Sequence, residues 1–178
     1  MLVQPKQEDL TLRLPVLLSA FLICVATLAA SDPISAPEGK VVLTVTGNIE
    51  RTNDGDALRF DYAMLKALDA TIVETSTIWT DGVRKFQGVN LATLVDVVGA
   101  KSGAFLVTAI NNYTVEIPLS DAVDDGPILA YAIDGKSISV RDKGPLWIIY
   151  PYDRDPEYRT EVIYSRSIWQ LDRIEVVE

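Results

Sequence analysis

The chain contains no histidine and a single cysteine, Cys24. A lone cysteine closes no internal disulfide, and a zinc site built from Cys and His ligands has nothing to work with. Packing and hydrogen bonding alone must therefore hold the fold. The same poverty limits the chemistry. A Ser-His-Asp triad and a His-ligated haem are excluded. Cys24 falls in the N-terminal leader described next, so the exported part has no cysteine nucleophile either. Carboxylates, hydroxyls, amides, aromatic rings and Arg/Lys remain. That set favours recognition of a small molecule or a partner over redox or hydrolytic chemistry.

Lys6 and Arg13 precede an apolar stretch, residues 14–30, broken only by Ser19 and Thr27. Ala29, Ala30 and Ser31 give a small-residue exit, and Asp32-Pro33 opens a polar segment. A basic lead, an apolar centre and a small-residue exit make a secretory signal peptide. The expected division is residues 1–30 as leader and 31–178 as one exported, periplasmic domain. An uncleaved anchor is the alternative, because Glu8-Asp9 weakens the basic lead and the stretch stands at the short end of the spanning range. Cys24 is one more apolar residue of this leader; Ile23 before it fits a lipidation site poorly.

The exported part has the size of one domain with its own core. The leader carries Lys6, Arg13, Glu8 and Asp9, so its removal leaves the net charge at −9. An acidic domain is a poor ligand for nucleic acid or an anionic membrane. Residues 40–47 read as a strand, 51–56 as a turn, and 60–68 as a short helix with Asp61 as its N-cap. A strand over 70–78, a turn at Thr80-Asp81-Gly82 and a short strand over 83–87 follow. Residues 88–99 form the clearest helix, capped by Asn90, with Leu91, Leu94, Val95 and Val98 on one face and Gly99 as its stop. Strands over 104–110 and 113–117 flank Asn111-Asn112 as a hairpin, and 119–123 suit one helical turn. Residues 128–133 turn at Asp134-Gly135 into 136–140. Residues 146–150 are an apolar strand, 151–164 a long polar loop, and 168–177 a final strand. Many strands with two or three short helices make an α+β domain.

Three segments, taken in order, resemble a known family. They are Phe86-Gln87-Gly88-Val89-Asn90-Leu91 with Leu94-Val95 and Val98-Gly99-Ala100; residues 111–119; and Ala130-Tyr131, Asp134-Gly135-Lys136 and residues 143–151, closing on Ser167-Ile168-Trp169-Gln170-Leu171. Their order and spacing resemble the molybdopterin-binding domain of the sulfite oxidase family, over residues 41–177. The resemblance implies mixed β-sheets with a few short helices. In that family a cysteine at the end of a central strand holds molybdenum. The equivalent region here, Val73-Glu74-Thr75-Ser76-Thr77, has none, and Glu or Thr oxygens do not replace a thiolate on a soft metal. Small exported members of this fold bind pterins without molybdenum and signal to an inner-membrane enzyme of cyclic-di-GMP metabolism. This chain is similar to them in size, targeting and missing cysteine. The resemblance therefore implies a non-catalytic protein with a reduced or molybdopterin-like pterin, no metal, and the periplasmic sensor region of a membrane signalling protein as partner. Its alternative is a molybdopterin-dependent oxidoreductase whose protein ligand to molybdenum is atypical or absent. A domain that has lost the pocket altogether is a third reading.

A pterin asks for an aromatic or guanidinium face, a carboxylate or amide at its amino-pyrimidinone edge, and donors for its carbonyl. Trp79, at the end of the strand that would carry the metal ligand, and Trp169 are candidate stacking rings, each with a core role as the alternative. Trp147 reads as core. Arg166 is the leading candidate fork for a carbonyl or phosphate. Arg141, beside Lys143, and Arg84 are further candidates, although charges beside turns are commonly surface only. Asn112 and Tyr113 occupy the turn that faces the pocket in the family. Asp153, in the polar loop, is a candidate for the pyrimidinone edge. Thr75 and Thr77, next to the missing cysteine, offer hydroxyls. Asp121, Asp124 and Asp125 read as a solvated turn.

Overall fold

Runs of β-branched and aromatic residues set down the strands, and side-chain caps start the short helices between them. The structure, a computed structural model, describes residues 34–178. The expected leader, Cys24 included, lies outside the described residues. The strands are β1 (Val41–Gly47), β2 (Leu58–Asp61), β3 (Ala70–Thr77), β4 (Thr80–Asn90), β5 (Ala104–Ala109), β6 (Thr114–Pro118), β7 (Ile128–Ile133), β8 (Lys136–Ser137), β9 (Leu146–Ile149) and β10 (Trp169–Val177). Between them lie the helices α1 (Tyr62–Ala67), α2 (Leu91–Val98) and α3 (Glu161–Arg166). The strands join one curled sheet in the order β2-β1-β10-β9-β7-β4-β3, with β5 on β10, β6 on β5 and β8 on β7. The α+β class expected from the sequence is the class observed.

β10 organises this sheet. It runs parallel to β1, pairing Thr44 with Arg173, and antiparallel to β5 and β9. Its register slips at either side of Leu171, and Gln170 between the paired residues takes a left-handed backbone at φ 54°. The irregularity leaves Trp169 37% exposed while Leu171 is fully buried. Main-chain bonds hold it: the Gln170 N–H donates to the Lys143 carbonyl (3.0 Å) and the Gln170 carbonyl accepts from the Ile110 N–H (2.8 Å).

Several local expectations shift. The turn after β3 is Ile78-Trp79, and Asp81-Gly82 form a bulge in β4, with Gly82 at φ 64°. β4 then continues through Gly88 and Val89 to Asn90, so α2 begins at Leu91 rather than at Gly88. The short helix near residue 60 starts at Tyr62, because Phe60 and Asp61 belong to β2. β8 keeps only two residues before a 3-10 turn, Val140–Asp142. The polar loop 151–164 is partly helical, with a 3-10 turn at Pro156–Tyr158 and the first part of α3, which Thr160 caps. β3 stands at the edge of the sheet, not at its centre.

Other signals match the structure. Asn90 Oδ1 accepts from the Ala92 N–H (2.7 Å), Gly99 closes α2 at φ 74°, and Leu91, Leu94 and Val98 are buried. Asp61 accepts from Met64 N–H (2.9 Å) and from Gly39 N–H (2.7 Å), which hold its carboxyl below its ordinary value of 3.8. A carboxylate depressed on folding stabilises fully above its unfolded pKa, and that contribution disappears as pH falls through the folded value. Stability will therefore fall as the medium is acidified below about pH 4. Asp61→Asn will flatten part of that fall in urea unfolding measured at neutral and acid pH. Equal acid sensitivity of the two proteins would refute the assignment.

Candidate functional site

Trp79 sits at the tip of the β3–β4 hairpin, held there by its neighbours. Thr77 Oγ1 accepts from the Trp79 N–H (3.0 Å) and shares a hydrogen bond with Thr80 Oγ1 (2.8 Å). The indole meets four rings, all inclined edgewise: Trp169 at 5.7 Å, Trp147 and Tyr164 at 5.8 Å, and Tyr152 at 6.3 Å. Trp147 and Tyr152 are buried, and they anchor the cluster to the core. Trp147 Nε1 donates to the Ser167 carbonyl (3.1 Å), and Tyr152 Oη donates to Ser167 Oγ (2.6 Å). Phe86 meets Trp147 edge-on from below at 5.7 Å. Edge-on packing of this kind fixes ring orientation beyond what area alone would do.

Two cavities use Trp79 as a wall. The first, about 370 Å³, is walled mainly by Trp79, Trp169, Tyr113 and Tyr164, with Asn111, Ser165 and Gln170 as polar lining. The second, about 490 Å³, lies toward β8 and the Val140–Asp142 turn and includes Arg84, Lys136, Arg141 and Lys143. Lys143 leans over two indoles, with Nζ 5.6 Å from the Trp169 ring centre and 5.7 Å from that of Trp147. Gln170 couples the walls: its side chain donates to the Val140 carbonyl (2.8 Å), and its main chain joins Lys143 and Ile110 as above. A non-glycine residue in a left-handed conformation at a cavity wall is a place where strain is held by surrounding structure.

Five of the ten residues singled out from the sequence line these cavities: Trp79, Trp169, Tyr113, Arg84 and Arg141. The others are committed elsewhere. Thr75 is fully buried, and its hydroxyl donates to the Ser76 carbonyl and accepts from Asp153 N–H (3.1 Å). It offers nothing to a ring. Thr77 is spent on the turn. Asp153 grips Ser76 through its N–H (2.6 Å) and hydroxyl (2.7 Å) and pairs with Arg159 (2.8 Å), which keeps its carboxyl low. It therefore pins the polar segment to β3 rather than facing either cavity. Asn112, at φ 67°, turns its amide oxygen to Arg173 (2.8 Å); its neighbour Asn111 is the one that lines the first cavity. Arg166 pairs with Asp121 (2.9 Å), which also accepts from Tyr150 Oη (2.7 Å). Burial and that carboxylate push the Tyr150 phenol far up, so it stays protonated. Asp121 is thus a half-enclosed strut, not part of a solvated turn.

Sequence reasoning missed Tyr164, Ser165, Gln170 and Lys136. Tyr164 and Ser165 fall in a helix of six residues, too short for a hydrophobic period to register. Gln170 reads as an ordinary member of an alternating strand. Lys136 carried a signal, since it directly follows the Asp134-Gly135 turn and lies five residues before Arg141.

The cavities suit the organic part of a molybdopterin: aromatic walls for a flat ring, amide and hydroxyl groups for its edge, and cations near by. The metal part is different. Within residues 73–77, where the resemblance would put the family's cysteine, Thr75 Oγ1 is enclosed and already bonded. Among the described residues no group of three or more His, Cys, Asp or Glu gathers where it could hold a metal ion.

An α+β domain with an aromatic cleft and convergent polar groups is a small-molecule-binding domain. The chain belongs to the oxidoreductase molybdopterin binding domain family, whose profile matches residues 43–153. Its fold is similar to that of the sulfane dehydrogenase SoxCD from Paracoccus pantotrophus, with a TM-score of 0.54 and 17% identity over 75% of this chain. The chain spans 37% of that SoxCD chain. No curated protein matches it.

Proposed function

We propose that this chain is an exported pterin-binding protein without catalytic activity, which reports ligand occupancy to the periplasmic sensor region of an inner-membrane protein of cyclic-di-GMP metabolism. The observation that carries the reading is the aromatic cleft at Trp79, at the tip of the hairpin whose first strand, residues 70–77, has no cysteine. A pterin stacked there would be held by ring contacts and by Asn111, Ser165 and Gln170. Binding would use no covalent bond to a metal. The proposed domain plan, a leader over 1–30 and the binding domain over 31–178, fits an exported receptor.

Titration of the purified domain with a reduced pterin, followed by quenching of tryptophan fluorescence, tests this directly. Saturable binding in the micromolar range or tighter is expected. Absence of saturation below about 1 mM removes the proposal. The signalling half is tested separately, by ligand-dependent capture of the periplasmic region of inner-membrane cyclic-di-GMP enzymes from the native host.

Family membership supports a second reading, a molybdopterin-dependent oxidoreductase whose molybdenum has an atypical protein ligand or none. Stoichiometric molybdenum in protein matured in its native host would favour it.

A further inference from the structure

We propose that the free edge of β3 is a docking site for an extended segment of a partner protein, apolar and basic in character, which joins the sheet as a further strand. The inference stands independently of the pterin reading. β3 is the terminal strand of the sheet and pairs only with β4 among the described residues. The direction of its main-chain groups follows from β4. Lys85, opposite Glu74, donates its N–H to Asp134 Oδ1 (3.0 Å), and its carbonyl accepts from the Asp134 N–H (2.8 Å), so both groups face away from β3. Residues directly opposite each other in an antiparallel ladder either exchange both bonds or turn both away. Glu74 therefore points its N–H and carbonyl off the sheet. The register is regular from Ala70 to Ser76, so Ile72 and Ser76 point the same way. Ser76 bears this out: its N–H donates to Asp153 Oδ2 (2.6 Å), which stands where a neighbouring strand would place a carbonyl. The same groups of Ile72 and Glu74 meet no further strand among the described residues.

Native sheets blunt their edges with short strands, proline or a covering segment. The other edges here do so. β2 has four residues and β8 two, while β6 ends on Pro118 with α3 beside it. β3 has eight residues and no proline. Its open part carries Ile72 at 53% exposure, and Val83 of β4, on the same face, is 64% exposed. A cavity of about 390 Å³ lies beside it, between residues 71–74 and a wall of Asp125, Pro151, Asp153 and Arg154. A slot flanked by open main-chain groups suits a single extended segment, held by bonds to Ile72 and Glu74 and covering Ile72 with alternate side chains. Charge selects the occupant. The lining holds Glu74, Asp125 and Asp153 against one cation, Arg154, and Lys85 and Arg159 pair with two of these carboxylates from outside it. The wider field sets the sign, because the chain carries a net charge of −9. That field repels a second copy of the same chain and attracts a basic segment.

The test titrates the isotope-labelled domain with three capped hexapeptides at low salt, following amide exchange residue by residue. The peptides are Lys-Val-Thr-Val-Lys-Val, its counterpart with Glu in place of both lysines, and the lysine peptide N-methylated throughout. The lysine peptide is expected to saturate with a dissociation constant below about 1 mM and to slow exchange of the Ile72 and Glu74 amides about tenfold. The acidic peptide will bind roughly fivefold or more weakly, and the methylated one will not bind. Glu74→Pro removes an outward donor without breaking the β3–β4 ladder, since an edge strand accepts proline on its open side. It will weaken the lysine peptide roughly tenfold. Glu74→Lys keeps the backbone and carries the test if the proline variant does not fold; it will narrow the gap between the two charged peptides to about twofold. Lack of saturation below about 1 mM, unchanged exchange at Ile72 and Glu74, or equal binding of the methylated peptide overturns the proposal. So does self-association in sedimentation velocity that Glu74→Pro abolishes, which would assign the edge to a second copy of the chain.

Discussion

Gly88→Ala will remove a large part of the domain's stability. Gly88 lies in β4, paired with Thr71 of β3 on one side and Ala130 of β7 on the other. A methyl group there would lie 2.2 Å from the Leu129 carbonyl oxygen, 2.6 Å from its carbon and 2.7 Å from Ala130 Cα. Every one of these atoms is backbone, so no side chain can swing aside. Relief requires parting β4 from β7, within a sheet whose strands carry the buried core on both sides of the break. Overpacking that cannot relax costs about 3 kcal/mol or more, against a total stability of roughly 5–15 kcal/mol for a domain. Urea or thermal unfolding decides the matter. Insoluble protein, or a melting temperature lower by about 10 °C, is expected. A midpoint within a few degrees of the parent would show that β7 gives way easily and that the sheet is looser than its register indicates.

Trp79→Ala will have the second large effect, on two separable quantities. The side chain links Trp147, Trp169, Tyr152 and Tyr164 at ring distances of 5.7–6.3 Å. Removing it opens a void among rings that remain, at about 2–4 kcal/mol for a partly buried indole. It also deletes the wall shared by both cavities, so affinity for a reduced pterin will fall tenfold or more by loss of stacking alone, about 1.5 kcal/mol. Trp79→Phe separates the two effects. It returns a flat ring and will restore binding more fully than stability, because phenylalanine does not reach all four partners. A folded Trp79→Ala protein that binds pterin as tightly as its parent would mean that the ligand sits elsewhere.

The sequence exposed those parts of the fold that local patterning governs. Asn90 and Gly99 bracket α2 because a cap and a left-handed stop are properties of single residues. The Asn111-Asn112 and Asp134-Gly135 hairpins follow from backbone freedom in the same way. Where a local signal had two outlets, reading failed: Asp81-Gly82 marks a bulge, while the turn falls on Ile78-Trp79, which looks like a strand end. The site divides along the same line. Trp79, Tyr113 and Trp169 lie at hairpin tips or strand ends, while Arg84 and Arg141 lie close after turns, and such places are visible in the chain. Arg166 was misjudged because its partner, Asp121, is distant in sequence, and Asp153 because it crosses to Ser76. Both pairings are products of topology. Nothing in the spacing of residues 168–177 announces that β10 breaks at Gln170, yet that break is what turns the Trp169 ring outward.

The absence of imidazole and thiol noted at the outset acquires a further meaning once the cleft is known. Its lining offers phenol, indole, amide, hydroxyl, carboxylate, ammonium and guanidinium groups, and neither imidazole nor thiol. Nor does it present sulfur for peroxide to attack. A ligand held there meets rings and hydrogen-bonding groups alone, and oxidation of a cysteine or methionine in the wall is not available as a way to release it.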